Sequence, residues 1–479
     1  MHTPPSRRRA PWRHSPGLTS FLAQLAALAG PAGMTAQVPA IPPVRPLGRI
    51  VAVTKDSLAS IASIRPLSDG RVLVNDRAAR RVVLFDSMLA HGVAVVDTTS
   101  ETAKAYGANG GALFPFTGDS SLFADFTSLS FLVVDPGGKL GRVMAAPRGP
   151  VGGIAFLGAS NYAPAVDSRG NVISRWTTAA AGRIGGAGGG GVGRGGGLVV
   201  GGGGVGGAGS APTPNATPAV TRDSTLILRI NIETKKTDTV VWLAAPTRTT
   251  IQTLGPRGGL LTTLLRNPMP AADAWALMPD GTVAAIREHD YHIDWIAPDG
   301  STTSSPKIQH EWAHITDSAK AAILDSVKHA DSLDMAKEQA TVDSAIAAAK
   351  KRGAVVTTNP GGLISVADPN GETSYYGTPA PPQYVDPNDL PDYYPPFEAS
   401  DSLGAGPARA DAEGNVWVRV NSGKRFEGGP VYDVVNRQGK LIDRVQIPGG
   451  TVLIGFGPGV AYLMSREGKG LKLARARIR

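Results

Sequence analysis

Over most of its length the chain alternates short β-branched runs with glycine turns. Each unit has an acidic turn with a glycine, an apolar run, a gap, and a second apolar run that ends near Asp or Asn. Glycine supplies the positive φ that tight hairpins need, and an Asp or Asn side chain closes the turn. The pattern therefore predicts strands joined by hairpins, with turns at Asp69-Gly70, Asp167–Gly170, Asp280-Gly281, Asp299-Gly300 and Asp411–Gly414.

These units recur at a spacing typical of propeller blades. The string D-x-x-G-N-V begins at Asp167 and again at Asp411, and Gly70 lies 100 residues before Gly170, which is two blades of roughly 40–50 residues. Strands packed on both faces, with no helix in each repeat, favour a propeller over a solenoid. We expect an all-β, six-bladed β-propeller over residues 37–479, with units near 50–100, 120–158, 163–243, 250–300, 360–420 and 430–478. Either Gly48–Val53 or Lys472–Ile478 is expected to close the ring.

Three segments interrupt the repeat. Residues 182–209 hold 18 glycines in 28 residues, a composition that cannot bury a core, and are predicted to be a disordered glycine-rich insertion. Residues 317–352 are rich in Ala, Lys, Asp and Ser, with Asp317 and Ser318 as candidate N-caps and Gly353 as the stop, and are predicted to be a helical insertion. The proline- and tyrosine-rich segment Pro379–Pro396 is predicted to be an extended irregular loop.

Residues 1–36 are predicted to be a signal peptide. Arg7–Arg9 and Arg13 precede the mostly apolar run Gly17–Ala29, and small residues follow as far as Ala36. The run is shorter than the ~20 apolar residues of a membrane span, so no transmembrane segment is expected in the mature chain. The protein is therefore expected to be secreted or periplasmic. The chain has no cysteine, which excludes disulfides.

The net charge of +9 does not indicate a nucleic-acid partner. The four N-terminal arginines and the C-terminal stretch from Arg466, which holds six Lys or Arg against one Glu, account for this excess, and the body of the chain is near neutral. No basic stripe is interleaved with aromatic residues. We therefore expect no nucleic-acid binding.

One segment concentrates acidic and imidazole groups and is the predicted ligand-binding site, namely Glu288, Asp290, Tyr291, His292 and Asp294. As a single strand, it would place Glu288 and the next three alternate residues on one face, with Tyr291 on the other. Propeller strands are packed on both faces, so ionisable groups there must be paired or must face the central channel. The alternatives are a functional patch, a metal-binding group, a hydrogen-bonded interblade contact or a solvated outer strand.

His310-Glu311-Trp312-Ala313-His314 is a literal H-E-x-x-H motif. In zinc peptidases this motif lies within a helix, which places both histidines on one face. Here it lies between Pro306 and Asp317, where the predicted helix begins. In extended chain the two histidines would be about 13 Å apart, too far to share an ion. Glu338 would serve as a third ligand only if the motif were helical.

Further strings carry a family resemblance, namely Asp290–Ile296 with Pro298–Gly300, Trp312–Asp317, Tyr394–Phe397, Asp411–Val418 and Tyr432–Val434. On these the chain resembles secreted six-bladed propeller proteins of uncharacterised role from environmental bacteria, loosely related to the NHL- and TolB-like propellers. The resemblance covers roughly residues 48–478 apart from the glycine insertion. It implies the propeller fold and a strand leading into a helix at Trp312–Asp317, and no definite activity.

Three functional hypotheses remain, and no cofactor is assigned. The first is a non-enzymatic binding module that presents one ring face to a protein, a glycan or a small molecule. The second is a metal-dependent hydrolase or lactonase-like enzyme, with a divalent metal held by Asp290, His292 and Asp294. The third is a zinc peptidase that uses His310, Glu311 and His314. No G-x-S-x-G string and no cysteine supports covalent catalysis.

Overall fold

The computed structural model describes residues 41–98, 106–107, 111–125, 127–128, 130–146, 165–167, 169–177, 219–221, 224–254, 260–358, 363–377, 381–398, 406–421 and 426–479. These residues belong to the unit Ile41–Arg479. The predicted signal peptide (1–36) and the predicted glycine-rich insertion (182–209) lie outside the described residues.

The described chain is mostly β-structure with one α-helix. Its strands are β1 (Val44–Pro46), β2 (Ile50–Val53), β3 (Ser63–Pro66), β4 (Val72–Asp76), β5 (Arg81–Phe85), β6 (Gly92–Val96), β7 (Gly111–Pro115), β8 (Ser121–Asp125), β9 (Ser130–Val134), β10 (Leu140–Ala145), β11 (Ala165–Val166), β12 (Asn171–Thr177), β13 (Ala219–Thr221), β14 (Ser224–Asn231), β15 (Thr237–Ala244), β16 (Arg248–Leu254), β17 (Leu260–Leu265), β18 (Ala274–Leu277), β19 (Val283–Arg287), β20 (His292–Ile296), β21 (Thr302–Ser304), β22 (Val355–Thr358), β23 (Leu363–Ala367), β24 (Thr373–Gly377), β25 (Ala408–Ala410), β26 (Val416–Arg419), β27 (Val431–Val435), β28 (Leu441–Gln446), β29 (Thr451–Gly457), β30 (Val460–Glu467) and β31 (Gly470–Arg477). The helix is α1 (Asp317–Lys351), and short 3₁₀ turns lie at Thr117–Asp119 and Pro387–Asp389.

Most strands form small antiparallel meanders in chain order. They are sheet 1 (β3-β4-β5-β6), sheet 2 (β7-β8-β9-β10), sheet 3 (β11-β12-β14-β15), sheet 4 (β18-β19-β20-β21), sheet 5 (β25-β26-β27-β28, with β1 added) and sheet 6 (β29-β30-β31, with β2 added). The first strands of several successive sheets are neighbours, since β3 lies beside β7 and β29, β7 beside β11, and β18 beside β25. Sheets joined side by side around their first strands form a β-propeller, so the predicted all-β propeller architecture is confirmed.

Apolar side chains fill the boundaries between neighbouring sheets. Val72 and Phe85 of sheet 1 share one cluster with Tyr462 and Leu473 of sheet 6. A second cluster joins sheets 4 and 5 in the same way. Inner strands such as β4 and β27 are covered on both faces, so every residue of these two strands is buried. This explains why the strands have nearly continuous apolar runs.

The two D-x-x-G-N-V strings form equivalent first turns in sheets 3 and 5. In sheet 5 the carboxylate of Asp411 accepts hydrogen bonds from the backbone N–H of Asn415 at 2.7 Å and from Trp417 Nε1 at 2.9 Å. Gly414 has φ +87°, which a residue with a Cβ rarely adopts. The aspartate and the glycine are therefore both required by the turn, as the sequence pattern predicts.

N-terminal strands complete the last two sheets. β2 pairs antiparallel with β31 at the outer edge of sheet 6. β1 pairs parallel with β28, and Arg45 forms an ion pair with Asp443 at 2.5 Å beside it. Both segments named in the prediction of ring closure therefore take part in it, because β2 and β31 pair with each other in sheet 6.

The insertions emerge at one end of the meanders. Successive turns of a meander lie at alternate ends, so the second turn of each sheet and the connection to the next sheet share an end, here called the insertion end. Those links carry β13, the strands β16 and β17, and the whole stretch between β21 and β25 with α1 and β22 to β24. The first and third turns lie at the opposite end, here called the hairpin end.

Three predicted blade units are wrong. Unit 430–478 begins with β27 and β28, which belong to sheet 5, and sheet 6 begins only at Thr451. Unit 360–420 contains β22-β23-β24, a separate three-stranded sheet, and sheet 5 begins only at Ala408. Unit 250–300 begins in β16 and β17, which belong to the other three-stranded sheet, and sheet 4 begins at Ala274. Strand β24 alternates like a blade strand, but between exposed and half-buried positions, and β22 is exposed except at Val356, so neither strand contributes to the interblade core.

Helix α1 begins one residue after Thr316, whose side-chain hydroxyl accepts a hydrogen bond from the backbone N–H of Ala319. Thr316, and neither of the predicted residues Asp317 and Ser318, is therefore the N-cap. The helix has 35 residues but buries only Lys320, Leu324, Asp331 and Ala349. Over the described ranges, no helix is both long enough and apolar enough to cross a bilayer.

Candidate functional site

The predicted site at residues 288–294 is a turn followed by a strand, and the prediction of one continuous strand is wrong. β19 ends at Arg287, which pairs with His292 at the start of β20, and four residues link them. Tyr291, the last of the four, has φ +47°, the left-handed conformation that reverses the chain into β20. Glu288 and Asp290 therefore do not share a strand face with His292 and Asp294.

His292 lies between two carboxylates on the outer part of sheet 4. Its Nδ1 is 2.5 Å from Asp290 Oδ1, and its Nε2 is 3.3 Å from Asp294 Oδ1. Both ring nitrogens therefore lie beside carboxylate oxygens. β20 is the third strand of its sheet counted from the first strand β18, so these groups do not face the channel.

Arg287 forms hydrogen bonds with two carboxylates, Asp294 of this group and Asp273 outside it. Its Nε donates to Asp294 Oδ2 and its Nη1 to Asp273 Oδ2, both at 2.8 Å. Asp273 is buried and also accepts from the backbone N–H of Glu288 at 3.1 Å. Burial, with the nearby negative charge of Asp273, raises the pKa of Glu288. Acidic and basic groups therefore compensate one another within the cluster.

Tyr291 points away from that cluster into the boundary between sheets 4 and 5. It is fully buried, and its hydroxyl donates to Asp433 Oδ2 at 3.1 Å. Arg444 Nε donates to the other oxygen of Asp433, also at 3.1 Å. Burial raises the pKa of Asp433 to about 6, although Arg444 and Tyr291 act in the opposite direction. Burial, reinforced by the charge of Asp433, raises the pKa of Tyr291 well above its ordinary range.

The H-E-x-x-H segment crosses this boundary as irregular chain and ends before the helix. The His310 ring meets Tyr291 edge to face, with ring centres 5.6 Å apart, and meets Trp312 in the same way at 5.1 Å. Burial, with the nearby charge of Arg444, lowers the pKa of His310 to about 4. His314 has a different neighbour, Tyr393, at 5.4 Å. The two histidines thus pack in different surroundings, and the helical geometry that a zinc peptidase needs is missing.

Sequence reasoning missed one group of residues on the insertion end. The backbones of residues 313–315 and 392–394 are hydrogen-bonded to each other, with His314 opposite Tyr393. Trp312 is 43% exposed and Tyr393 is 48% exposed. We call Glu311, Trp312, His314, Asp392 and Tyr393 the aromatic–acidic surface. The density of Pro and Tyr at 379–396 was a signal for it, but the partner segment could not be inferred from spacing.

Lys320 of α1 holds this surface in place. Its side chain is buried, and its Nζ donates to Asp392 Oδ1 at 2.8 Å. This hydrogen bond and the ammonium charge lower the pKa of Asp392. Asp392 itself is 74% exposed and therefore offers an ionised acceptor to solvent.

Metal ligation has no geometric support in the described ranges. No group of three or more His, Asp or Glu side chains there is arranged to hold an ion. Asp294, one of the predicted ligands, is engaged by Arg287 and by the Ser304 hydroxyl, which donates to it at 2.6 Å. The five predicted site residues thus form one compensated surface cluster and one buried interblade contact.

Neither a protein-family model nor a curated protein matches this chain. Among solved structures, a virginiamycin B lyase from Staphylococcus aureus is 10% identical, with 89% of this chain and 98% of that chain covered and a TM-score of 0.29. The gluconolactonase XC5397 from Xanthomonas campestris is 11% identical, with 92% and 99% covered and a TM-score of 0.31. A DUF4221 family member from Bacteroides vulgatus is 10% identical, with 90% and 97% covered and a TM-score of 0.33. At these values the activities of those proteins do not carry over to this chain.

Proposed function

We propose that this chain is an exported, six-bladed propeller that binds glycans without catalysis through its aromatic–acidic surface. The observation that carries the proposal is that two hydrogen-bonded backbone segments each expose an aromatic residue next to a carboxylate in sequence, Trp312 after Glu311 and Tyr393 after Asp392. The six blades are sheets 1 to 6, and the N-terminal strand β2 completes the last of them by pairing with β31.

The insertion end is the ligand face in this proposal. The hairpin end has short turns closed by Asp and Gly, such as Asp411–Gly414, which leave little chain to form an extended glycan-binding surface. The insertion end carries α1, two small sheets and the Pro–Tyr segment. Binding residues in repeat folds concentrate in such added loops, held by a rigid scaffold.

A glycan suits this surface better than an apolar partner does. Trp and Tyr rings present flat apolar faces, on which the C–H faces of a sugar ring can pack, and their polar edges stay wet. Carboxylates beside them accept hydrogen bonds from hydroxyl groups, and Asp392 is kept ionised by Lys320. The surface mixes exposed rings with exposed charge, whereas the centre of a protein interface is depleted in charged residues.

Binding to an array of soluble bacterial and plant oligosaccharides tests the proposal. The proteins are the wild type, Trp312→Ala, Tyr393→Ala and the matched control Trp242→Ala, which removes a 52% exposed tryptophan on β15. We expect wild type and Trp242→Ala to bind the same glycans and the two surface variants to lose at least tenfold in affinity, since stacked aromatic residues are typical hot spots.

Three outcomes would contradict this function. They are no glycan bound by the wild type, equal binding by Trp312→Ala, and release of new reducing ends from a bound glycan, which would indicate a hydrolase. Metal analysis of the purified protein addresses the lactonase-like alternative directly. One tightly held metal equivalent that is lost in Asp290→Ala would favour that alternative over a pure binding role.

Export is tested separately from ligand binding. The chain from Met1 to Arg479 is expressed in a Gram-negative host, and the exported fraction is analysed by mass spectrometry. We expect a mature N-terminus close to residue 37, with residues 1–36 removed. An intact Met1 on protein confined to the cytoplasm would overturn the localisation.

A further inference from the structure

Three arginines line a groove on the hairpin end, opposite the aromatic–acidic surface. The groove has a volume of about 800 Å³, and its walls include Arg49, Arg475, Arg477, Met88 and Gly459. A volume of this size matches the range of small-ligand sites. The groove lies where sheet 6 meets the third turn of sheet 1, which contains Met88.

The arginines are placed there by strand periodicity. Alternate residues of β31 point to the same side, so Leu473, Arg475 and Arg477 form one row. Leu473 is fully buried in the cluster between sheets 1 and 6, Arg475 is half-buried and Arg477 is exposed. The row therefore leads from the interblade core out to the groove. Arg49 precedes β2 and joins the row because its carbonyl accepts from the backbone N–H of Arg477 at 3.0 Å.

The three arginines of the groove have no acidic partner in the part of the chain that the structure describes. Among the described residues, none of the three guanidinium groups forms an ion pair, and Arg475 Nε is buried without a hydrogen-bond partner. Arg475 Nη1 donates to the carbonyl oxygen of Ser87 at 2.6 Å, which fixes that side chain without adding negative charge.

Two acidic side chains on the turns that border the groove accept hydrogen bonds from backbone N–H groups. Glu413 accepts from the N–H of Gly459 at 2.7 Å, and Asp86 accepts from Ala90 at 2.9 Å. Backbone hydrogen bonds lower the pKa of Asp86, so it stays ionised within its own turn. Like charges held close together without a counterion favour an anion as a ligand.

We propose that this groove binds a small, multiply charged anion with phosphate or carboxylate groups. Arginine forks bind both groups through paired hydrogen bonds, and three of them suit a ligand with at least two anionic centres. The groove joins residues at both ends of the described chain, Arg49 beside β2 and Arg477 on β31. A bound anion therefore holds β2 to β31 and stabilises ring closure.

Calorimetry measures binding, and thermal unfolding measures stability. The ligands are pyrophosphate, citrate and inorganic phosphate, each compared with sodium chloride at matched ionic strength. Arg49→Gln and Arg477→Gln remove exposed charges, so they should fold. Arg142→Gln, a change at an exposed arginine on β10, is the matched control. We expect wild type and Arg142→Gln to bind pyrophosphate or citrate with a rise in melting temperature, and each groove variant to lose roughly tenfold in affinity.

The two multivalent anions distinguish a phosphate ligand from a carboxylate ligand. Hydrogen exchange gives a second readout, because binding should slow amide exchange in β2 and β31 more than in β8 or β9. Equal stabilisation of the wild type and the Arg49→Gln/Arg477→Gln double variant would overturn the proposal. So would equal stabilisation by chloride, no binding of any small anion, or binding of long polyanions only.

Discussion

Tyr291 donates a hydrogen bond to Asp433 across the boundary between sheets 4 and 5, with 3.1 Å between the two oxygens. Tyr291 belongs to a turn and has φ +47°, a conformation that is rare for a bulky side chain. The burial of its ring and the bond to Asp433 are what hold it there. A residue predicted as part of a ligand site thus joins two blades of the propeller.

Removing the Tyr291 hydroxyl should weaken that joint. Tyr291→Phe keeps the ring but leaves Oδ2 of the buried Asp433 without its hydrogen-bond donor. We expect the free energy of unfolding in urea to fall by about 1–3 kcal/mol. The matched control is Tyr375→Phe, whose side chain is 65% exposed and which should change stability by only a few tenths of a kcal/mol. Equal effects of the two variants would contradict the role of this contact.

The pH dependence of stability should carry the signature of Asp433. Its pKa in the folded protein is about 6 against an ordinary value of 3.8, so between these values the folded protein binds the proton more strongly than the unfolded chain does. Asp433 therefore contributes stability that is fully present below pH 4 and is lost as the pH rises through about 6. A pKa difference of about two corresponds to about 3 kcal/mol in the free energy of unfolding.

Comparison with Asp433→Asn isolates this contribution, because the amide does not titrate. The free energy of unfolding is measured in urea from pH 4 to pH 7 for both proteins. We expect the difference, wild type minus variant, to fall as the pH rises. A constant difference over this range would show that Asp433 titrates normally.

His310 should act in the opposite direction. Burial and Arg444 lower its pKa from 6.5 to about 4, so the folded protein favours the neutral ring. The stability it contributes is present above pH 6.5 and is lost as the pH falls through about 4. His310→Gln should flatten this part of the profile, whereas the exposed control His289→Gln should leave it unchanged. The contribution of His310 to the free energy of unfolding is smaller than that of a fully buried ring, because part of the His310 ring is exposed to solvent.

Local turn chemistry was predictable from the sequence. Asp411 and Gly414 occur in the order that an Asp-closed turn requires, and the structure has that turn. The contact of Tyr291 with Asp433 could not be predicted, because the two residues are 142 positions apart and meet only when two blades pack. The strand prediction at 288–291 failed because the alternation of polar and apolar residues there continued through a turn.

The aromatic–acidic surface was beyond sequence reasoning for a related reason. Trp312 lies in a motif that suggested zinc, and Tyr393 lies in a segment predicted to be an irregular loop. Backbone pairing of His314 with Tyr393 brings the two segments together. Such a pairing between insertions has no repeat or spacing that would indicate it.

Arg287 should be the residue on which the acidic–histidine cluster depends most. It donates to Asp273 and Asp294, so Arg287→Ala removes the guanidinium that pairs with both carboxylates and should cost about 2–4 kcal/mol in unfolding free energy. Arg287→Lys should recover only part, because an ammonium lacks the planar fork. As the control, Arg142→Ala removes an exposed pair with Glu233 and should cost well under ~1 kcal/mol. A small loss in Arg287→Ala would show that the cluster is held by other contacts.

Helix α1 should be anchored at its middle by Asp331. This buried carboxylate accepts from the Tyr384 hydroxyl and pairs with Arg266, each at 2.7 Å, beside the cluster of Leu265, Leu324, Val385 and Leu390. Because α1 lies outside the blades, Asp331→Ala should release the helix without unfolding the propeller. We expect amide exchange in the middle of α1 to rise about tenfold, the equivalent of one charged hydrogen bond, with the melting temperature nearly unchanged. Asp334→Ala, at an exposed residue that pairs with Lys337 three positions further along the helix, is the control and should not change exchange. A fall in melting temperature without faster exchange in α1 would instead place Asp331 in the stability of the whole fold.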